Sequence, residues 1–490
     1  MSKRLINIKV VINVVSSLII ITGVLMSLTI PISIIYKGGA LFPLILSSAI
    51  TLAAGFGVKL FTRKHKEDEV KKREGYLIVG LGWLAMTFFS SLPYVLSGAI
   101  PSYSDAFFET ISGLTTTGAT ILNDIEALPK GILFWRSMTQ WIGGMGIIVL
   151  TIAILPLLGV GGMELFASEA PGPTKDKIHP RIKETAKRLW LIYFGLTALE
   201  CILLMFAGLD FYDAINHSFT TMSTGGFSTK QASIAYFDTP VVQYIIIAFM
   251  FVAGTNFTLL YFGFKLNFRK FWENDEFKWY LGAVLALVAV VLGGIYFDRT
   301  AAVSFEENFR GALFQVVSII TTTGYATTDF TTWGSFVTFI FFLLLFTGAS
   351  AGSTSGGMKL VRIVLLMKNG FLEFKRRLHP NAVIPVHLNQ HGVSSNIIYN
   401  LLAFVFFYLF MFVVGSIIMT FLGVDFVEAV SAVATSIGNV GPGIGALGPS
   451  YTFYDLPNAA KWVLSFLMLL GRLELFTVAI LFTPYFWKRN

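Results

Sequence analysis

Apolar runs of about bilayer length recur along this 490-residue chain, and they restrict its fold more than any other feature. Ile6 to Ile30, Leu41 to Phe61, Leu77 to Ile100, Leu189 to Leu209, Val241 to Phe264, Lys278 to Tyr296 and Ile397 to Leu422 each approach the roughly 20 residues that a spanning helix needs. In hydrocarbon every backbone polar group must be satisfied internally, so such runs are expected as helices. Composition agrees: 55% of residues are hydrophobic and 13% charged, against about a quarter charged in soluble domains. The first run reads as a retained span, because no small-residue cleavage site closes it and a second apolar stretch follows. Cys201, the single cysteine, lies inside an apolar run and leaves no room for an internal disulfide framework.

The formal charge of +8 marks topology and not a nucleic-acid surface. Lys and Arg gather in Arg63 to Arg73, Lys175 to Arg188, Lys265 to Lys270, Lys368 to Arg377 and at both ends, and the positive-inside rule puts all of these in the cytoplasm. The segments between them, Pro101 to Gly131, Asp210 to Thr239, Asp298 to Gly334 and Gly423 to Asn458, are poor in Lys and Arg and are assigned to the outer side. An even number of spans, about ten, satisfies both assignments.

Those outer segments resemble one another. Asp105 to Gly118, Asp213 to Gly225, Gly311 to Gly324 and Glu428 to Gly441 each carry a half-apolar run of about 12 residues that ends in a Thr/Ser/Gly knot. A helix of that length rises about 18 Å, too little to cross a hydrocarbon core of about 30 Å, so each run must dip in and return. The expected fold is therefore all-α and integral to the membrane: four pseudo-repeats of span, pore half-helix, extended loop and span around one pore. The divisions are 1–75 (two extra spans and a basic loop), 76–188, 189–277, 278–395 and 396–490. Taken singly, a Gly/Thr knot is equally consistent with an external turn; four at matching offsets favour a shared axis.

An alkali cation is hard and takes oxygen ligands, which backbone carbonyls supply without holding the ion too tightly. Inward-facing carbonyls need an unusual, closely approached backbone, which glycine permits. The candidate filter is Thr116, Thr117 and Gly118; Ser223, Thr224 and Gly225; Thr322, Thr323 and Gly324; and Asn439, Val440 and Gly441, the fourth triplet lacking Thr beside its glycine. Acids open the half-helices: Asp105, Asp213, Glu306 and Glu307, Asp425 and Glu428. They suit both helix capping and the gathering of cations at the mouth.

In the third unit the last span is interrupted by Gly348, Ala349, Ser350, Ala351, Gly352, Ser353, Thr354, Ser355, Gly356 and Gly357, flanked by apolar half-spans; this reads as an intramembrane gate loop, the alternative being a cytoplasmic linker. Arg472 and Glu474 stand within the apolar stretch Trp462 to Phe482, where charge is costly. Arg472 is a gating candidate, or else half of a structural pair, for example with Glu200. Gly143-Gly-Met-Gly146 reads as a close-packing notch. No Walker-type, HExxH or Cys/His metal motif occurs, so the residues do not indicate an enzyme.

Trp135-Arg-Ser-Met-Thr-Gln-Trp-Ile-Gly-Gly-Met-Gly-Ile-Ile148, Ala170-Pro-Gly-Pro-Thr-Lys-Asp176, Gly225-Gly-Phe-Ser-Thr229, Phe314-Gln-Val-Val-Ser318, Gly352-Ser-Thr-Ser-Gly-Gly357 and Gly471-Arg-Leu-Glu-Leu-Phe-Thr477 together resemble the bacterial TrkH/TrkG potassium-uptake subunits of the Trk/Ktr/HKT superfamily. Ser355 departs from that pattern, which would place glycine there. The resemblance implies potassium as the transported ion, held at the filter residues, and no cofactor bound by this chain. It further implies a homodimer with one pore per protomer in a bacterial inner membrane, and a cytoplasmic TrkA-type ring that binds the regulatory nucleotide. A sodium-coupled or less selective transporter of the same superfamily is the alternative. An organic-solute carrier would instead be built from two inverted halves, and the repeats here run in one sense.

Overall fold

Leucine, isoleucine, valine and phenylalanine fill the long runs, and with no water to bond the backbone they close into helices whose outer faces stay apolar. The computed structural model describes residues 6–62, 70–149, 178–298 and 304–488. Two spans precede the repeats among the described residues: α1 (Ile8–Ser27), continued by a short helix Thr29–Ile35, and α2 (Leu41–Thr62). They approach closely because Gly23 lies against Leu52 and Gly55 against Ile20, where a Cβ would come within 3.0 Å of its neighbour.

Four units follow. The first is α3 (Lys72–Ser90), α4 (Tyr103–Leu114) and α5 (Lys130–Val149); the second is α6 (Ile178–Phe206), α7 (Phe211–Met222), α8 (Pro240–Ala253) and α9 (Phe257–Phe264). The third is α10 (Asp275–Phe297), α11 (Phe305–Ile320), α12 (Ser335–Leu344) and α13 (Leu360–Leu378). The fourth is α14 (Ser395–Phe421), α15 (Phe426–Gly438), α16 (Asn458–Arg472) and α17 (Phe476–Ala479). The half-helices α4, α7, α11 and α15 have 12, 12, 16 and 13 residues, or about 18 to 24 Å at 1.5 Å per residue.

Capping explains where three of the half-helices start. The Ser102 hydroxyl accepts from the Asp105 amide, the Asp210 carboxylate from the Asp213 amide, and Ser304 forms a reciprocal capping box with Glu307. The acids beyond these caps are engaged as well. Lys461 Nζ donates to Asp105 at 2.6 Å, Thr229 Oγ1 to Asp213 at 2.6 Å and Arg310 Nε to Glu306 at 2.9 Å.

By length and apolarity alone, six helices of the described residues can cross a membrane, or up to eight if each bent pair counts as one span. About ten were expected. α8 and α9 meet at 110° and α16 turns by 111° into the stretch Phe476–Phe482; with each of these bent pairs taken as one span, the count of eight leaves out α5 and the interrupted pair α12 and α13. The apolar run Val241 to Phe264 is thus broken at Gly254 to Asn256, and Trp462 to Phe482 is broken just past Arg472. Of the basic clusters, residues 63–69 and the loop up to 177 lie outside the described residues, as does the motif at 170–176.

Exposed aromatics such as Phe61, Phe297 and Phe421 lie on the outside, while many Thr, Ser, Asn and Gln side chains are buried. Two small β elements interrupt the helices. β1 (Thr347–Gly348) pairs in parallel with β2 (Met358–Lys359), and β3 (Val386–Leu388) forms an antiparallel hairpin with β4 (His391–Val393).

Candidate ion-conduction site

Every half-helix ends in the same backbone manoeuvre. After α4 the Thr116 amide donates to Gly113 and the Thr117 amide to Ser112; after α7 Thr224 bonds Thr221 and Gly225 bonds Thr220. After α11 Thr322 bonds Ile319 and Thr323 bonds Ser318, and after α15 Asn439 bonds Ser436 and Val440 bonds Thr435. Thr116, Thr224, Thr322 and Asn439 have φ of 52°, 54°, 58° and 52°. Left-handed backbone is costly for β-branched threonine and persists where the surroundings enforce it, a pattern concentrated at functional sites. Asparagine accepts this conformation more readily, which accounts for its use in the fourth unit.

The equivalences correct one triplet. In the second unit the segment is Thr224, Gly225 and Gly226; Ser223 is still in right-handed geometry as the helix cap, and the glycine matching Gly118, Gly324 and Gly441 is Gly226. The other three triplets share this backbone register without adjustment.

These four segments form a closed ring. A Cβ added to Gly118 would meet the Gly225 carbonyl oxygen, one on Gly226 the Thr323 oxygen, one on Gly324 the Val440 oxygen and one on Gly441 the Thr117 oxygen, all under 3.0 Å. Each glycine therefore lies against the carbonyl of the next segment, in the order first, second, third, fourth and back to first. Thr116, Thr117, Thr224, Thr322, Thr323, Asn439 and Val440 are buried while Gly118, Gly226 and Gly324 are partly exposed, and the ring borders a cleft also lined by Lys230, Gln231, Tyr451 and Phe453.

Polar side chains brace the ring from behind. Gln140 Nε2 donates to the Gly225 carbonyl at 2.6 Å while its Oε1 accepts from the Phe227 amide at 3.0 Å. Asn439 Nδ2 donates to Thr117 Oγ1 at 3.0 Å and to the Met468 carbonyl at 2.9 Å. Arg136 and Glu109 form a buried pair at 2.7 Å. Glu109 also accepts from the Ile121 amide at 2.9 Å, and Arg136 donates to the Ser228 carbonyl at 3.0 Å, so the pair ties the first segment's exit to the second's. Gly143 and Gly144 pack against the Leu114 carbonyl and Ser223, leaving no space for larger side chains where α5 crosses the half-helix ends.

Below the ring, β1 and β2 close the loop Gly348 to Gly357 on itself. The Gly356 amide donates to Thr322 Oγ1 at 2.6 Å, and a Cβ on Gly356 would meet Asn439 and the Gly438 carbonyl. Thr354 Oγ1 donates to the Met222 and Ala253 carbonyls at 3.1 Å, and the Ser350 amide to Gly254 at 3.0 Å. The loop is thus buried against the inner ends of three half-helices and cannot be an exposed linker.

Arg472 ends α16 beside this loop, and its Nη1 donates to the Thr354 carbonyl at 2.8 Å. The alternative pairing with Glu200 does not form among the described residues. Glu474, in the break after α16, pairs with Arg362 of α13, whose guanidinium also lies 4.1 Å from the Phe404 ring. Arg362, Lys359, Glu276, Gln140 and the Glu109–Arg136 pair escaped the sequence reading. The signal for most of them was available: each is a charged residue within or beside an apolar stretch.

Four re-entrant half-helices, a closed carbonyl ring and a buried polar loop beneath it define a multi-pass helical membrane transport protein. A family model described as a cation transport protein, TrkH, matches residues 40–489. The chain belongs to this TrkH family of the Trk potassium-uptake transporters. It is 42% identical over 463 residues to the Trk system potassium uptake protein TrkH of Escherichia coli K12, covering 93% of this chain and 94% of that one. It is 39% identical to the TrkH of Halomonas elongata, covering 99% and 100%. The crystal structure of the potassium transporter TrkH from Vibrio parahaemolyticus superposes with a TM-score of 0.90 at 38% identity, covering 99% of this chain and all of that one. These relatives are transporters and not enzymes.

Proposed function

We propose that this chain takes up potassium across a bacterial inner membrane through the ring formed by Thr116 to Gly118, Thr224 to Gly226, Thr322 to Gly324 and Asn439 to Gly441. The cyclic contact of each ring glycine with the next segment's carbonyl carries the reading. It brings neutral oxygens of four segments to one axis, where they can replace the water of a monovalent cation without fixing it by charge. The half-helices point their C-terminal ends at this ring, and their partial negative charge favours a cation there.

The loop Gly348 to Gly357 is the gate and Arg472 its latch, a role supported by the Arg472 bond to Thr354. The chain works as a homodimer with a TrkA-type nucleotide-binding ring on its cytoplasmic face, both termini lying on that side; the relatives' Trk-system names support a multi-subunit setting. Rubidium uptake into proteoliposomes, with potassium, sodium and lithium as competitors, tests the reading. Potassium should compete strongly, and sodium and lithium weakly. Equal competition by sodium would establish the less selective transporter instead.

A further inference from the structure

Lys359 follows the gate loop directly, in the parallel pair that closes it, and is 8% exposed. Its ammonium donates to the Ser355 carbonyl, to Ser355 Oγ at 3.2 Å and to the Gly356 carbonyl at 3.5 Å. A lysine head carries three donors and no acceptor, so three oxygens are what it needs once stripped of water. They are also neutral oxygens of the kind that replace water around an alkali cation. They sit at the inner end of the ring, because the neighbouring Gly356 amide is bonded to Thr322 Oγ1 and its Cα abuts Asn439.

Each of the other charges nearby has a partner of its own, though Glu276 Oε2, Arg362 Nη1 and Arg472 Nε are left without one. Glu474 pairs with Arg362, Arg472 donates to Thr354, and the Glu276 carboxylate accepts from the Ala351 amide at 2.6 Å. Lys359 forms no ion pair with a carboxylate among the described residues, and its charge rests on loop oxygens alone.

We infer that the Lys359 ammonium is a tethered substitute for the transported ion: it fills an oxygen-lined monovalent-cation site just beneath the ring, and that site accepts potassium or rubidium once the ammonium is withdrawn. This deepens the gate assignment and rests on the ring being the potassium path. A filled site blocks the next ion both by occupancy and by repulsion, so withdrawing one side chain would relieve both at once.

Crystals of the full-length wild type and of Lys359→Ala, soaked in rubidium, provide the first test by anomalous scattering. Both should hold rubidium at the ring, and only the variant should hold a further ion between the Ser355 and Gly356 oxygens. In proteoliposomes without regulator, Lys359→Ala should leak rubidium at least about 5-fold faster, the lower end of typical coupling effects. Propylammonium, the deleted fragment, should suppress that leak. Lys359→Met keeps the apolar stem and removes the charge, so it should leak as well, which guards against misfolding of the alanine variant. Ring rubidium without the added ion, a leak insensitive to propylammonium, or a tight Lys359→Met channel would each overturn the inference. Absence of rubidium from the wild-type ring would instead overturn the potassium path itself.

Discussion

A single carbonyl oxygen decides what each ring glycine can become. At Gly226 a Cβ would strike the Thr323 backbone oxygen, which cannot move without moving the third segment; at Gly225 it would strike the far end of the Gln140 side chain. Gly226→Ala should therefore reduce potassium-over-sodium preference by about tenfold or more, about 1.4 kcal/mol of discrimination, measured by flux competition. Gly225→Ala should be the milder change, and Gln140→Ala in the same chain should relieve part of it. If the two single variants rank the other way, the second segment is out of register. Behind the ring, Glu109→Gln or Arg136→Met leaves a buried charge unpaired, at a cost of about 3 to 5 kcal/mol. Folded yield in detergent should fall accordingly. The Thr-Gly knots were legible in the sequence because their chemistry is unusual for an apolar chain. The register of the second was not, since Gly225 and Gly226 are adjacent and only the backbone geometry, left-handed at Thr224 and Gly226, tells them apart.

At the scale of elements, the interrupted span of the third unit and the broken last span of the fourth meet in one place. Arg472 reaches Thr354 from 118 residues away. No local pattern in the sequence records such a partner, which is why the break of Trp462 to Phe482 and the Arg362–Glu474 pair went unread while the glycine-rich loop, a purely local signature, was legible. Arg472→Ala should raise rubidium flux without the regulator by about 5-fold or more, within the usual range of coupling between sites, and leave ion preference unchanged because the ring keeps its own supports. Flux is to be normalised to folded protein, since a merely structural arginine would lower yield and not change flux per molecule.

On the scale of the whole molecule, the lipid-facing apolar surface and the inward polar residues follow from composition, and four recurring knots were enough to read fourfold closure. The breaks inside two of the spans were less legible, because bends of 110° and 111° divide stretches that hydropathy treats as continuous. Removing the charges of Lys175, Lys177 and Lys183 together should weaken co-purification with the proposed cytoplasmic regulator and leave this chain's pore-forming ability intact. Raised salt should weaken wild-type co-purification likewise, as exposed charge contacts are screened over about 10 Å at 0.1 M. The ring and the loop beneath it also differ in symmetry: all four quarters build the ring, whereas the loop grows from the third quarter alone and is held by bonds to the second, third and fourth. With the loop as the gate proposed above, such a pore would work as a door and not as an iris. Opening it would then break the bonds of that one loop and ask no concerted movement of four equivalent quarters, so a single chain should open in one step, at an energy set by those few contacts.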